Sequence, residues 1–516
     1  MSTKKLTRRD FIRQTTLVVG GAVLAACTPA TLTSAPTTPP TTVPVKPTDV
    51  PIKPTDVPKP AATVAPTEGP VVLQWWDHQV PLQPLHKKLF ATYTKDNPNV
   101  SVVETTFNPA EMGKALQLAY PNKQAPDVHT LAGVSLPPSA LIKEGWFAPL
   151  DPFIDDAWKK LFPDGSFNEG VNVFSGKIYS FPIFTFRQYL NITWYNKKLI
   201  ADAGLDPAKD FTTWDSVRAS VKKITDKGKG QVFGWIEGIS FVDRMGQHML
   251  DIASAAGAPG EIDFKTGEYQ YATDPFVNGI DWWVSMAKDG SLHPTSTTLD
   301  QRNARVRWVA GAGGIFFDGP WNPGSVLAVD KTFMDNLGVL PCPTPSGKPA
   351  IIGRGPNEES FWISAQSKNP KHGAGLLKQM ISDEYQMGLA EMMDTVPLST
   401  SAVAKANVHP TYVEQTKFFA NSVHLDPQPK IRNSLVNDVV AEMKAIHPNL
   451  GEIIQGAITG DVKDIKKVLK DFNDGMTKER DRAIKVVLGK GGKISVDDWV
   501  FSDWTPGKDY QTKPNA

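Results

Sequence analysis

The strongest constraint on the fold is an alternation of strand and helix patterns after the first seventy residues. Residues 71–78 and 100–104 have strand patterns, whereas 85–97 and 111–119 carry apolar residues at helical spacing. A third strand begins near Val128. This order is typical of an α/β layer with a parallel sheet, in which ligands bind beyond the carboxyl ends of the strands.

Length, charge and cysteine content exclude several classes of protein. A chain of 516 residues suits two or three lobes. Its net charge is +1, and residues 1–26 contribute +4 (five basic residues and one acid), so the remainder carries −3 and offers no basic field for nucleic acid. Only two cysteines occur, Cys27 and Cys342, and no Cys/His spacing resembles a metal site. We therefore expect no disulfide framework, no metal and no cofactor.

The N-terminus has the pattern of an export signal, which we assign to residues 1–26. Arg8 and Arg9 precede a short apolar run that ends in small residues before Cys27. The sequence Leu-Ala-Ala-Cys resembles the lipobox of bacterial lipoproteins, in which the cysteine is acylated and becomes the new N-terminus. The arginine pair followed by Phe-Ile-Arg resembles a twin-arginine export signal, and the general export route remains the alternative.

Residues 27–70 are predicted to form a disordered linker behind the lipidated Cys27. Positions 28–70 contain 12 Pro and 11 Thr, and the hexapeptide Lys-Pro-Thr-Asp-Val-Pro occurs twice. Such a segment has too few apolar side chains to form a core. No later run approaches the ~18 apolar residues of a membrane-spanning helix. The pattern predicts a folded body tethered to a membrane by its N-terminus.

Signatures of catalysis are missing from the sequence. It contains no G-x-S-x-G elbow, no phosphate-binding P-loop and no H-E-x-x-H motif. The glycine-rich segment 311–314 precedes a strand instead of following one, so it predicts a helix-to-strand turn. We therefore assign no catalytic residue and expect a protein that is not an enzyme.

Short motifs recur in a fixed order along the body. They are Glu144–Leu150 (EGWFAPL), Gly176–Pro182 (GKIYSFP), Trp194–Leu199 (WYNKKL), Ala310–Trp321 with its final Gly-Pro-Trp, Phe361–Asn369 (FWISAQSKN) and Thr395–Leu398 (TVPL). Together they resemble the extracellular solute-binding proteins of bacterial ABC importers, the carbohydrate-type family typified by maltose-binding protein. The resemblance covers about residues 71–487.

This resemblance implies an α/β, bilobal periplasmic-binding-protein-like fold of type II, with two discontinuous lobes joined by hinge strands. We expect the hinges near 181–186, 351–360 and 398–401. The expected division is lobe 1 from 71–183 with 357–399, lobe 2 from 184–356 with 400–490, and a C-terminal tail from 491–516.

The segment Ile315–Trp321 points to the ligand site. Three apolar residues predict a buried strand, Asp318-Gly-Pro turns the chain, and Trp321 is expected to face the cleft. A flat aromatic ring suits the CH-rich face of a sugar ring, and the family uses the matching Trp for such stacking. Packing of Trp321 in the core is the alternative. The candidate ligand-binding residues are Trp75, Trp76, Asp77, His78, Phe186, Arg187, Trp235, Glu237, Asp318, Trp321, Arg354, Glu358 and Glu359.

The expected function is that of a membrane-anchored, extracellular, monomeric protein that captures a sugar or oligosaccharide and delivers it to the permease of an ABC importer. It would lie on the outer face of the cell membrane or on the periplasmic side. Residues 128–134 lack the aromatic and acidic residues of maltodextrin binders, which speaks against maltose. The same fold binding a polyamine, peptide or other small solute is an alternative, and a secreted carbohydrate-active enzyme is a more remote one.

Overall fold

A computed structural model describes residues 69–356 and 361–514. The predicted export signal, Cys27 and nearly all of the linker lie outside the described residues, as do Glu358 and Glu359. Among the residues that are described, no helix is both long and apolar enough to cross a membrane.

The described chain contains short strands distributed over several sheets. The strands are β1 (Val71–Asp77), β2 (Val100–Thr106), β3 (Val128–His129), β4 (Val173–Phe174), β5 (Lys177–Ile178), β6 (Ile192–Asn196), β7 (Phe233–Trp235), β8 (Ile262–Asp263), β9 (Glu268–Tyr269), β10 (Gly313–Asp318), β11 (Leu337–Leu340), β12 (Ile352–Arg354), β13 (Trp362–Ile363) and β14 (Val423–Leu425).

Helices fill most of the sequence between these strands. They are α1 (Gln83–Asp96), α2 (Pro109–Ala119), α3 (Pro138–Lys143), α4 (Asp156–Lys159), α5 (Lys197–Asp202), α6 (Pro207–Asp210), α7 (Trp214–Gly228), α8 (Val242–Ala255), α9 (Asp274–Lys288), α10 (Gln301–Val309), α11 (Asn322–Val329), α12 (Pro370–Gln379), α13 (Asp383–Glu391), α14 (Thr400–Lys405), α15 (Pro410–Ser422), α16 (Pro429–Arg432), α17 (Val436–Glu442), α18 (Leu450–Thr459) and α19 (Ile465–Gly489). Short 3-10 helices span Val80–Leu82, Asp151–Phe153, Ser296–Thr298, Lys331–Asn336 and Val496–Trp499.

The first sheet has the strand order β13-β3-β1-β2. Strand β1 pairs in parallel with β2, with Trp75 opposite Glu104, and also in parallel with β3. Strand β13 joins the other edge of β3 in the antiparallel direction. The predicted strand–helix–strand alternation with parallel pairing is thus confirmed, and the carboxyl ends of β1 and β3 meet at one edge.

The second sheet has the order β11-β6-β10-β7. Its central strand β10 is buried along its whole length, which confirms the predicted buried strand at Ile315–Phe317. It pairs in parallel with β7 and antiparallel with β6. Because β7 and β10 run in the same direction, the loops that follow them leave the sheet at the same edge. The turn between α10 and β10 contains Gly311 at φ 88°, as the glycine pattern predicts.

Each sheet has its own apolar core, and the fold is a bilobal α/β architecture. The core of the first sheet joins residues of β1 and α1 to Phe361, Ile363 and Leu389. The core of the second sheet joins Trp235 and Phe317 to helices as far along the chain as α19. Both cores therefore draw on segments that are distant in sequence. A further cluster packs Ala390 and Met393, at the end of α13, with Phe316 and Trp308.

Backbone pairing connects the segments that the sequence marks as crossings between lobes. The Thr185 amide donates to the Val396 carbonyl over 3.0 Å, and the Leu398 amide donates to the Ile183 carbonyl over 2.9 Å. Strands β12 and β14 form a separate parallel pair. The lobe boundaries and the hinge role of these segments stay predictions.

The C-terminal tail packs on the body. Phe501 and Trp504 are buried, and both rings contact Phe264 in edge-to-face arrangements. The guanidinium of Arg432 lies 3.4 Å from the centre of the Phe501 ring. Further along, the Tyr510 amide donates to the Leu425 carbonyl beside β14 over 2.8 Å. The tail is therefore an integral layer of the fold.

We predict that Phe501→Ala lowers the free energy of unfolding by about 3 kcal/mol, because a buried aromatic ring is replaced by a cavity. Urea unfolding followed by tryptophan fluorescence measures the change. Leu488→Ala, at a side chain that is 46% exposed, is the control and is expected to stay within about 0.5 kcal/mol of the parent. Equal stability of the two variants would contradict an integral role for the tail.

Candidate functional site

Two loops of the second sheet form the centre of the candidate site. The loop after β7 carries Glu237, and the turn after β10 carries Asp318 and Trp321. Glu237 and Asp318 are close enough for the charge of Asp318 to act on Glu237. The structure thus brings together three of the residues that the sequence predicts for the site.

Asp318 organises the turn that carries Trp321. Its side chain is fully buried, and Oδ2 accepts a hydrogen bond from Nε of Arg305 over 3.0 Å. Its other oxygen, Oδ1, accepts from the indole Nε1 of Trp321 over 3.0 Å and from the Gly319 amide over 2.9 Å. Because both oxygens are engaged within the protein, Asp318 positions Trp321 instead of presenting a free carboxylate.

Trp321 is partly exposed, and its ring is held from two directions. The guanidinium carbon of Arg244 lies 4.6 Å from the ring centre. The ring also lies against Gly319, where an added Cβ would approach Cη2 to 2.3 Å. Only glycine fits at that position, so the Asp-Gly-Pro turn fixes the orientation of the indole.

Glu237 is a buried carboxyl with an altered proton affinity. Burial raises its pKa to about 8, and the negative charge of Asp318 contributes to the rise. Its Oε1 accepts a hydrogen bond from the Gly238 amide over 3.0 Å, and its Oε2 accepts from Nε1 of Trp235 over 3.3 Å. Gln301 is a further hydrogen-bond partner. At neutral pH the group is therefore mainly protonated and can donate a hydrogen bond.

The structure corrects the predicted ligand-contact role of two tryptophans. Trp75 and Trp235 have no exposed surface. The Trp75 ring packs against Phe90 and Phe361 in the first core, and the Trp235 ring packs against neighbouring aromatics in the second. Each lies on the inward face of its strand. The indole N–H of Trp75 donates to Asp77, and that of Trp235 donates to Glu237.

The first sheet contributes a partly exposed edge. Trp76 faces away from the core of Trp75, as the alternation of a strand requires, and packs against Phe107. His78 pairs its Nδ1 with the Thr130 hydroxyl over 3.0 Å. Asp77 does not lie on this surface, which corrects its expected contact role. It is fully buried and accepts hydrogen bonds from the Gln79 amide and from Trp75.

The remaining candidates lie near the crossing segments. Arg187 donates to the Val423 carbonyl over 2.6 Å and pairs with Asp509 of the tail. Arg354 pairs with the fully buried Asp251. Phe186 is partly exposed and lies 4.9 Å from the guanidinium of Arg187. Arg187 thus connects its segment to β14 and to the tail, and Arg354 connects β12 to α8.

Sequence reasoning missed several residues of the site. Arg305 and Gln301 lie on α10, and Gln301 donates from Nε2 to the Phe317 carbonyl over 2.8 Å. Asn322 accepts from Arg305 Nε over 3.0 Å. Arg244 comes from α8. The only available signal was the proximity of α10 to β10 in the sequence, which places polar residues of the helix beside the strand end.

Comparison with known proteins gives a consistent result. The family model for bacterial extracellular solute-binding proteins matches residues 76–387. The diacetylchitobiose binding protein DasA of Streptomyces coelicolor is 25% identical over 288 residues, which are 55% of this chain and 62% of that protein. The chain spans between 62% and 66% of the length of the curated relatives it matches.

Solved structures share the fold. A protein studied for xylan utilization by Caldanaerobius polysaccharolyticus superposes with a TM-score of 0.62 at 17% identity, covering 78% of this chain and 99% of that one. The maltotriose binding protein of Thermus thermophilus, bound with maltotriose, has a TM-score of 0.59 at 20% identity, covering 79% and 99%. At these identities the likeness establishes the bilobal fold.

The raised pKa of Glu237 predicts a pH-dependent stability. The folded protein holds this proton more tightly than the unfolded chain, whose group titrates near 4.5. Stability therefore falls as the pH rises from about 4.5 towards 8. We predict that Glu237→Gln flattens this fall and is more stable than the parent at pH 8 by at least about 1 kcal/mol.

Urea unfolding at pH 5 and pH 8 measures the effect. Glu268→Gln, at an exposed glutamate of β9, is the matched control and is expected to keep the pH dependence of the parent. The same dependence in Glu237→Gln as in the parent would contradict a buried, protonated Glu237.

Proposed function

We propose that this chain, which belongs to the family of bacterial extracellular solute-binding proteins, captures a sugar or oligosaccharide between its two lobes. The family match establishes a solute-binding protein and not an enzyme. Delivery of the captured sugar to the permease of an ABC importer is part of the proposal.

The oriented indole of Trp321 carries the proposal. Asp318, Gly319 and Arg244 hold the ring in one orientation at the carboxyl edge of the second sheet. A fixed aromatic face next to hydrogen-bonding groups suits a sugar ring, which has both CH-rich faces and hydroxyls. Glu237 is fully buried beneath this face, so its predicted ligand-contact role is corrected and it supports the loop from inside the fold.

The nature of the neighbouring proteins supports a sugar as ligand. The Streptomyces relative is named for binding diacetylchitobiose, and the Thermus structure contains maltotriose. The alternative of a polyamine receives less support, because Asp318 is neutralised by Arg305 and Asp77 is buried among protein donors. Four acids, Asp77, Asp318, Glu358 and Glu359, would favour a cation, and the last two lie outside the described residues.

Opening and closing of the lobes would admit and retain the ligand. We propose lobe 1 at 71–183 with 357–399 and lobe 2 at 184–356 with 400–490. The paired segments at 183–185 and 396–398, together with β12 and β14, would act as hinges. Ligand binding would then favour the closed form that the permease recognises.

We predict that a sugar from a panel of mono- and oligosaccharides binds the protein reversibly and without turnover. Trp321→Ala is expected to weaken this binding at least ten-fold, because loss of an aromatic stacking contact costs about 1.5 kcal/mol. Isothermal titration calorimetry measures the affinity. Leu327→Ala, at an exposed leucine of the following helix, is the control and should bind like the parent.

Binding of amines or peptides instead of sugars would replace the carbohydrate assignment. Unchanged affinity in Trp321→Ala would contradict a role of the indole in ligand binding. Chemical change of a polysaccharide by the purified protein would contradict the binding role altogether.

We further propose that the mature protein is anchored by acylated Cys27 and held away from the membrane by the linker 27–70. The expected outcome for Cys27→Ser in cells is a shift of the protein from the membrane fraction to the soluble fraction, together with loss of labelling by a palmitate analogue. Equal membrane association of the variant and the parent would contradict lipid anchoring.

A further inference from the structure

A second cluster of polar side chains lies in the first lobe, behind the surface of Trp76 and His78. Asp77 comes from the end of β1, His86 from α1 and Glu104 from β2. Nδ1 of His86 lies 2.8 Å from Oε1 of Glu104 and 3.5 Å from Oδ2 of Asp77. One ligating atom from each residue thus lies within 4.8 Å of the other two.

This cluster is closed off from solvent. The side chains of Asp77 and His86 are fully buried, and that of Glu104 is 9% exposed. The imidazole of His86 is packed against the rings of Trp75, Phe90 and Phe361. Two carboxylates in such surroundings need a cation, because isolated buried charges are strongly unfavourable.

A proton on His86 satisfies this need only in part. With an imidazolium between two ionised carboxylates, one negative charge remains uncompensated next to the core. A divalent cation with a neutral imidazole balances both carboxylates. One divalent metal therefore balances both carboxylates, which protons do only if Glu104 is protonated as well as His86.

Two further oxygens are available near the three residues. The hydroxyl of Tyr385, on α13, is buried and has no hydrogen-bond partner among the described residues. Tyr385 belongs to the same apolar core as Trp75, Phe90 and Phe361, the rings that surround the His86 imidazole. Oε1 of Gln79 is likewise buried without a partner in the described chain. The backbone amide of Gln79 donates a hydrogen bond to Oδ1 of Asp77.

We propose that Asp77, His86 and Glu104 form a divalent metal site that prefers zinc, with Tyr385, Gln79 or a water as a further ligand. One imidazole nitrogen and two carboxylate oxygens suit a four-coordinate zinc ion. Calcium requires six to eight oxygen ligands, more than this cluster offers. Hydrogen bonds from Trp75 and Gln79 fix the Asp77 carboxylate, as the surroundings of a metal ligand commonly do.

Such a site would connect three elements of the first lobe. The ion would tie α1 to β1 and β2 directly beneath the strand end that carries Trp76 and His78. The metal would stabilise this edge of the lobe, and it would do so whether or not the proposed ligand is a sugar.

The test uses the full chain, first dialysed against a chelator. We expect one equivalent of added zinc to be retained after gel filtration, as measured by mass spectrometry, with a Kd below about 1 µM by competition titration. Zinc should raise the melting temperature by at least about 2 °C. Cobalt in place of zinc is expected to give visible absorption typical of a four-coordinate site, a result that needs no mutation.

Glu104→Gln and His86→Gln should each lose the retained zinc and the gain in melting temperature. His447→Gln is the matched control, because His447 forms a 2.8 Å pair with Glu452 on the exposed surface. It should behave as the parent does. Failure to retain zinc, a melting temperature that zinc does not change, or undiminished zinc in both cluster variants would overturn the proposal and leave a proton on His86 as the cation.

Discussion

The buried ion pair between Asp318 and Arg305 is the interaction on which the candidate site depends. It lies where the fully buried strand β10 ends, and it joins this strand to α10. The same carboxylate holds the indole of Trp321 and the amide of Gly319. A buried carboxylate without such a partner would destabilise the strand end, so the pair makes it possible for the chain to turn sharply and present an aromatic ring there.

A common arrangement occurs at the strand ends of both sheets. In β1, Nε1 of Trp75 donates to the carboxylate of Asp77 over 3.0 Å, and at the end of β7 the indole of Trp235 donates to Glu237 over 3.3 Å. In both cases the acid follows the tryptophan by two positions, so the two side chains lie on the same face of an extended chain. The indole fills the core, while its N–H adds a hydrogen bond to a buried acid that also accepts from a backbone amide.

This arrangement explains which parts of the site the sequence could predict. Strand and helix periodicity was sufficient for the parallel pairing of the first sheet and for the burial of β10. The sequence correctly placed acidic residues at the strand ends. It did not predict which way their side chains point, because the hydrogen bond to a tryptophan on the same face turns Asp77 inward. Arg244, Gln301 and Arg305 come from helices that carry no motif. Asp77, His86 and Glu104 come from a strand, a helix and a strand, so no regular spacing marks them.

The turn that carries Trp321 is also connected to the paired segments 183–185 and 396–398. Helix α11 begins directly after Trp321, and the Gly324 amide donates to the Met393 carbonyl over 3.0 Å. A side chain at Gly324 would approach the Met392 carbonyl to 2.1 Å, so the two backbones are in close contact. Met393 lies just before the segment that pairs with 183–185. The turn that carries Trp321 is therefore linked, through the start of α11 and Met393, to the segment at 396–398 that we propose as a hinge.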